Sequence, residues 1–243
     1  MTGSSTIAPL AAELAMAFEV INPELRINVQ TGGSSRGLAD IRQNTADIGM
    51  VSRKLTPSET DVRAHLLAKD GVSIIVHADN PIKALSSKQI RSIYLGKIKN
   101  WQALTGKNEK ITVINKAEGR STLEVFLHYF DIKNTQIKSD IIIGDNEQAI
   151  KLVSRNPSAI AYVSIATAEY NVKAGTAVKT LPLDGVDANL KSLAAGDFPL
   201  NRELNFVTSE SPTNTATAFI AFAQSPKARS IIEEFGFVPN DQR

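Results

Sequence analysis

Leu25-Arg26-Ile27-Asn28-Val29-Gln30-Thr31-Gly32-Gly33-Ser34-Ser35-Arg36-Gly37-Leu38 changes structural period partway along. Leu25, Ile27 and Val29 alternate with Arg26, Asn28 and Gln30, the two-residue repeat of a half-buried strand. A turn from Gly32 to Gly37 then opens into a helical apolar pattern at Leu38. Before the strand, Leu10, Leu14, Phe18 and Ile21 recur at helical spacing, with Pro9 suited to a first turn and Asn22-Pro23 ending the run. Helix, strand, glycine turn and helix in this order predict an α/β lobe.

The same alternation continues downstream. Ala46 to Val51 reads as a short strand ending at Ser52-Arg53, and Val72 to His77 as another, closed by Asp79-Asn80-Pro81. A helical pattern from Ser86 through Ile90 and Ile93 turns at Gly96. Ile111 to Ile114 is a strand, Leu123, Phe126, Leu127 and Phe130 mark a helix, and a further helix follows Asp145 through Ile150 and Val153. Ala159 to Val163 is an apolar strand. These elements predict a second α/β lobe, and Val178 to Leu183, Leu204 to Thr208 and a closing helix from Thr213 to Phe235 predict a return to the first. The expected division is residues 1–76 with 171–243, and residues 77–170. Tyr94 and Trp101 read as packing residues.

A chain of 243 residues is long enough for two lobes that each bury a core. Its 27 Lys and Arg against 25 Asp and Glu, interleaved, argue against nucleic-acid binding. The absence of cysteine removes disulfides, thiolate metal sites and thiol nucleophiles together. No run of about 18 apolar residues, the length a membrane-spanning helix needs, appears in the sequence. The N-terminus lacks the charged, apolar and cleavage regions of a signal peptide, so the expectation is a mature secreted protein whose signal peptide is absent from this sequence.

Three clusters of small polar residues run straight into helical patterns: Gly3-Ser4-Ser5-Thr6, Gly32 to Gly37, and Glu118-Gly119-Arg120-Ser121-Thr122. A helix start leaves about four N–H groups without intrahelical partners and carries roughly half a positive charge, so it favours anions. Three such ends, brought together, make an oxyanion cage. Arg36, Arg53 and Arg120 stand beside these starts, where a guanidinium forms forked bonds to oxyanions; the alternative for each is a solvated surface arginine. An enzyme is disfavoured. Leu38-Ala39 stand where a P-loop needs Lys-Ser/Thr, the Gly-x-Gly-x-x-Gly pattern fails at Gly33-Ser34, and His65, His77 and His128 have no metal-ligand spacing. No histidine adjoins a candidate serine nucleophile.

These clusters, with Asp47 to Arg53, the segment from Leu85 to Trp101, Ala159 to Val163 and Phe235-Gly236-Phe237-Val238-Pro239, resemble the type II periplasmic substrate-binding proteins, and within them the phosphate-binding proteins of ABC transporters. The resemblance implies two α/β lobes joined by two crossing strands, with a ligand cleft between the lobes that closes over the anion. It implies no catalytic residue, no cofactor and no metal. It further implies a monomer, periplasmic or extracellular, that binds phosphate or a related oxyanion and delivers it to an ABC transporter permease. Carried over by position, the contacts are Ser5 and Thr6, Ser34 and Ser35, Ser52 and Arg53, and Lys116, Arg120, Ser121 and Thr122.

Three stretches depart from the family pattern. Gly119-Arg120-Ser121-Thr122 replaces Gly-Ser-Gly-Thr, Lys116 stands where some members carry arginine, and Ser52 stands where several carry an aspartate that accepts the proton of hydrogen phosphate. Glu118, the carboxylate of the cluster Glu118 to Thr122, is the candidate substitute acceptor; its other reading is a helix-start glutamate facing solvent. The alternatives in function are a binder of another tetrahedral oxyanion such as sulfate or molybdate, a phosphate-sensing domain, and a phosphate-ester hydrolase.

Overall fold

The computed structural model, which describes residues 1–240, divides by its contacts into two units. Unit 1 holds Met1–Asp70, Gly119–Ser121 and the chain from Arg202 onward; unit 2 holds Gly71–Glu118 and Thr122–Asn201. The sequence places the return to the first unit at residue 171, whereas the structure places it at Arg202. The reason is strand pairing. Val178–Leu181 joins the unit 2 sheet antiparallel to Ile74 through His77, which keeps the intervening chain on that unit.

In unit 1, Thr2–Gly3 lies between two parallel neighbours, Gln30–Thr31 and Gly49–Val51. Gly49–Val51 pairs antiparallel with Asn205 to Val207 of the strand Asn201–Thr208. Leu25 to Val29 keeps the predicted alternation of half-buried and exposed residues but forms no ladder. Its neighbour on the sheet, Thr2–Gly3, is only two residues long, so pairing is confined to Gln30 and Thr31. The helix Ala8–Ile21 buries Leu10, Leu14 and Phe18, and the Phe18 ring lies 5.4 Å from both Phe219 and Phe222. Each such side chain removed from water contributes about 1.5–3 kcal/mol. The predicted closing helix is two helices, Asn214–Ala223 and Pro226–Glu234. Pro226 cannot donate to the preceding turn and suits a new helix start, so the break falls at Gln224-Ser225.

The helix Ser34–Arg42 packs Leu38 and Ile41 against Val51, Val62 and Val207. It approaches the sheet closely because Gly37 has no side chain: a Cβ there would sit 2.9 Å from the Thr2 carbonyl oxygen. This seats the start of the helix beside the ends of the short strands.

In unit 2 the second half of the strand Arg63–His77 pairs antiparallel with Ala159–Ser164 and with Val178–Leu181. Thr112–Lys116 runs parallel to Ala159–Ser164 and to a third neighbour, Ile141–Ile143, whose three isoleucines are too short a run to betray a strand in sequence. Tyr94, Trp101, Phe126 and Tyr162 are fully buried in one aromatic core, with Phe126 and Tyr162 stacked at 4.1 Å. The Trp101 indole N–H donates to Ser158 O at 3.0 Å. The helix Ser87–Tyr94 begins with a capping box, Ser86 with Gln89, which stops its first N–H groups from going unpaired. The helices Ile165–Lys173 and Leu190–Ala195 had no sequence prediction; the former exposes Tyr170 and Val172, which blurs the amphipathic contrast that periodicity requires.

Candidate functional site

The serine clusters of unit 1 meet through backbone and hydroxyl hydrogen bonds. Gly32 and Gly33 both donate their N–H to Gly3 O at 2.9 Å, which ties the second cluster to the first. Ser4, buried, is the hub of the first turn: its Oγ accepts the N–H of Thr6 at 3.2 Å and donates to Ser52 Oγ at 2.9 Å. The N–H of Ser52 donates to Ser34 Oγ at 3.1 Å, where the helix Ser34–Arg42 begins. Three chain segments are thereby locked side by side.

The fourth segment joins them at Gly33. That residue has φ 95°, a left-handed conformation that disfavours any side chain, and a Cβ there would lie 2.6 Å from Gly119 O. The Ser35 N–H donates to the same Gly119 O at 3.3 Å. Arg120 is half-buried, with its Cδ close to the Gly33 backbone, and Ser121 starts the helix Ser121–Phe130. Ser121 is 2% exposed and its Oγ is a buried hydroxyl with no hydrogen-bond partner among the described residues. Native structures leave few buried polar atoms unpaired, and those that are commonly mark a ligand or a functional strain.

Behind the first turn lies a buried ion pair. Arg202 donates from Nε and Nη2 to Asp70 Oδ2 at 3.0 and 2.7 Å, and its Nη2 also donates to Thr6 Oγ1 at 3.2 Å. The two side chains are 1% and 0% exposed. Neither was nominated by sequence, because the partners are far apart along the chain and neither sits in a recognisable pattern. Ser4 belongs to the first cluster, beside the expected contacts Ser5 and Thr6.

Of the predicted contacts, Thr6, Ser34, Ser52, Arg120 and Ser121 come together in unit 1. Ser5 is half-buried and Ser35 exposed on the same two turns. Arg53 is engaged elsewhere: it holds Glu59 through two bonds of 2.8 Å. That guanidinium, helped by the Thr56 N–H, lowers the Glu59 carboxyl from 4.5 to about 2. Arg36 is an exposed helical ion pair with Asp40.

In unit 2, Lys116 is buried and donates to Asp145 O at 2.7 Å and Asn146 Oδ1 at 3.0 Å, at the start of the helix Asn146–Val153. Its N–H donates to Tyr162 Oη, which in turn donates to Asn115 Oδ1 at 2.6 Å; burial pushes the Tyr162 phenol far up, so it stays a donor. Thr122 is buried. Glu118 is exposed and accepts from Asn134 Nδ2 at 3.0 Å, the solvent-facing reading of that residue.

Ser4, Ser34 and Ser52 bond to one another and to backbone, so none is set up as a base-activated nucleophile in the described contacts. Among the described residues no group of three or more His, Asp or Glu side chains could hold a metal ion, and no helix is long and apolar enough to cross a membrane. The arrangement supplies hydroxyls, N–H groups and a guanidinium, all donors, which is the chemistry of oxyanion binding.

Comparison with known proteins agrees in kind. The family description "PBP superfamily domain" matches residues 1–227. The phosphate-binding protein PstS of Bacillus subtilis is 29% identical over 98% of this chain and 79% of its own length. Among solved structures, a candidate phosphate ABC transporter substrate-binding protein from Clostridium perfringens, crystallised with bound phosphate, superposes with a TM-score of 0.91 at 28% identity, covering 99% of this chain and 98% of that one. An ABC-type phosphate transport receptor from Vibrio cholerae superposes with a TM-score of 0.80 at 28% identity, covering 98% of each chain.

Proposed function

The chain belongs to the PBP superfamily, and from that membership we propose that it is a substrate-binding protein for inorganic phosphate, which it hands to an ABC transporter permease. It acts as a monomer in the periplasm or outside the cell and does no chemistry on the anion. The observation that carries the reading is the buried, unpartnered Ser121 hydroxyl at a helix start, held by Gly33 and Gly119 against the interlocked turns of Ser4, Ser34 and Ser52. A lone helix start binds nothing of note; a desolvated hydroxyl at one that no described residue answers is costly to leave unpaired. The likeness to phosphate-binding relatives supports phosphate over other oxyanions.

The contacts proposed in unit 1 are the turns of Ser5 and Thr6, Ser34 and Ser35, with Ser52, Arg120 and Ser121. Arg53 is proposed as structural, through Glu59. The test is calorimetry and thermal melting of protein stripped of anion by unfolding and refolding. A ligand at 100 times its Kd stabilises the folded state by about 2.7 kcal/mol, so phosphate raises the Tm. Melting curves unmoved by millimolar phosphate, sulfate and molybdate would reject the reading. Binding of sulfate or molybdate in preference to phosphate would reassign the ligand.

A further inference from the structure

Unit 2 holds a cavity of about 380 Å³ that the oxyanion reading does not use. That volume falls within the range of small-molecule sites, about 300–1,000 Å³. Its lining is apolar at depth: Ile93, Ile111 and Val113 are buried, and Ile98 and Ile137 are half-buried beside them. Its rim is cationic. Three exposed lysines, Lys99, Lys110 and Lys138, line it against one carboxylate, Asp140, a surplus of two positive charges and as large as that of the whole chain. Asp140 is already engaged: Oδ1 accepts from Lys110 Nζ at 2.7 Å and Oδ2 from the Val113 N–H at 2.9 Å, and the Lys110 ammonium holds that carboxyl below its usual range. Lys99 and Lys138 make no ion pair with a described residue. Gly96 lets their stems converge, because a Cβ there would lie 3.0 Å from Lys138 Cγ and 3.7 Å from Lys99 Cε. Two neighbouring ammonium groups with no carboxylate between them repel, and an anion that reaches both relieves the repulsion.

We propose that this cavity binds a small amphiphilic carboxylate, its charged end held by Lys99 and Lys138 and its apolar body, an aryl or short alkyl group, laid against Ile98 and Ile137. Each part of the cavity answers one part of such a ligand. An ammonium is a compact charge with three rotatable donors, and its bonds to a carboxylate are charge-assisted. The methylene stems of the two lysines extend the apolar wall while their heads stay at the water. A small hydrophilic anion such as acetate satisfies the ammonium groups but leaves the isoleucines wet, and a cationic amphiphile meets the surplus positive charge. The inference stands apart from the oxyanion reading, since none of the cavity residues belongs to the serine turns.

The experiment is an amide-resolved NMR titration of the isotope-labelled protein in phosphate buffer, so that any oxyanion site is already filled. Phenylbutyrate is the probe, with acetate and phenylbutylamine as controls. Phenylbutyrate is expected to move the amide signals of Gly96, Ile98, Ile111 and Lys138 along a saturable curve, and to bind at least about 10-fold more tightly than either control, the worth of one charge-assisted hydrogen bond. Lys99→Glu combined with Lys138→Glu reverses both charges at exposed positions and is expected to weaken phenylbutyrate by about 10-fold or more. If that variant does not fold, Lys99→Gln with Lys138→Gln carries the same comparison. No saturable movement at these amides would overturn the site. Acetate binding as tightly as phenylbutyrate would reject the apolar half of the proposal, and phenylbutylamine binding as tightly, or a lysine variant with an unchanged Kd, would reject the charged half.

Discussion

Replacing Arg202 by Met breaks a buried ion pair while keeping the length of the side chain. The structure fixes what is lost: bonds of 3.0 and 2.7 Å to Asp70 Oδ2 and one of 3.2 Å to Thr6 Oγ1, with both charged side chains at 1% exposure or less. The substitution leaves Asp70 charged, desolvated and without its partner. Breaking such a pair from one side costs about 3–5 kcal/mol. For a chain of this length, each kcal/mol moves the Tm by about 2–4 °C, so the expected fall is about 6–20 °C. Removing both charges, as Asp70→Leu with Arg202→Met, costs far less, because neither desolvated charge remains, and the double variant recovers most of the loss. Melting followed by circular dichroism, in phosphate-free buffer on stripped protein, separates this from any contribution of bound anion. A double variant that melts as low as the sum of its two single variants would show that the charges are not coupled, and would refute the argument.

Ser121→Ala removes a hydroxyl that bonds to no described residue, so the stripped protein keeps or slightly gains stability while phosphate binding weakens about 10- to 150-fold; calorimetry beside a melting curve detects the split, and equal losses in both would mark Ser121 as structural. Gly33→Ala sets a Cβ 2.6 Å from Gly119 O at φ 95°, so it is expected to weaken phosphate binding more than a surface Gly→Ala such as Gly175→Ala; equal affinities for the two variants would show that the contact is not needed. The Arg53–Glu59 pair is expected to matter for stability and not for affinity, so Arg53→Ala lowers the Tm of stripped protein and leaves the phosphate Kd nearly unchanged; a large affinity loss would return Arg53 to the site. Because the folded Glu59 carboxyl is lowered from 4.5 to about 2, its stabilisation is complete above about pH 4.5 and is lost as pH falls towards 2. Urea midpoints measured across that window should fall less steeply in Glu59→Gln, and identical profiles would contradict the assignment.

Local pattern alone determined much of this protein. Periodicity placed the helix at Leu10, Leu14 and Phe18 and the apolar strand from Val72, and Gly, Ser and Pro punctuation placed the helix starts, because hydrophobic period and capping chemistry are properties of neighbouring residues. The donor-rich clusters at Ser4, Ser34 and Ser121 were legible for the same reason. What the sequence could not show was which polar side chains the fold draws into internal contacts. Arg53, Lys116 and Glu118 look like ligand groups in one dimension, and only folding brings Glu59, Asp145 with Asn146, and Asn134 to occupy them. Val178–Leu181 carries no mark of its sheet, because strand partnership is a choice among distant edges and is settled by which apolar face each pairing buries. The Asp70–Arg202 pair is the clearest case. Its two members stand in separate strands far apart along the chain, each an ordinary charged residue in isolation, and burial against one another turns them into a paired guanidinium and a carboxylate with one oxygen left over.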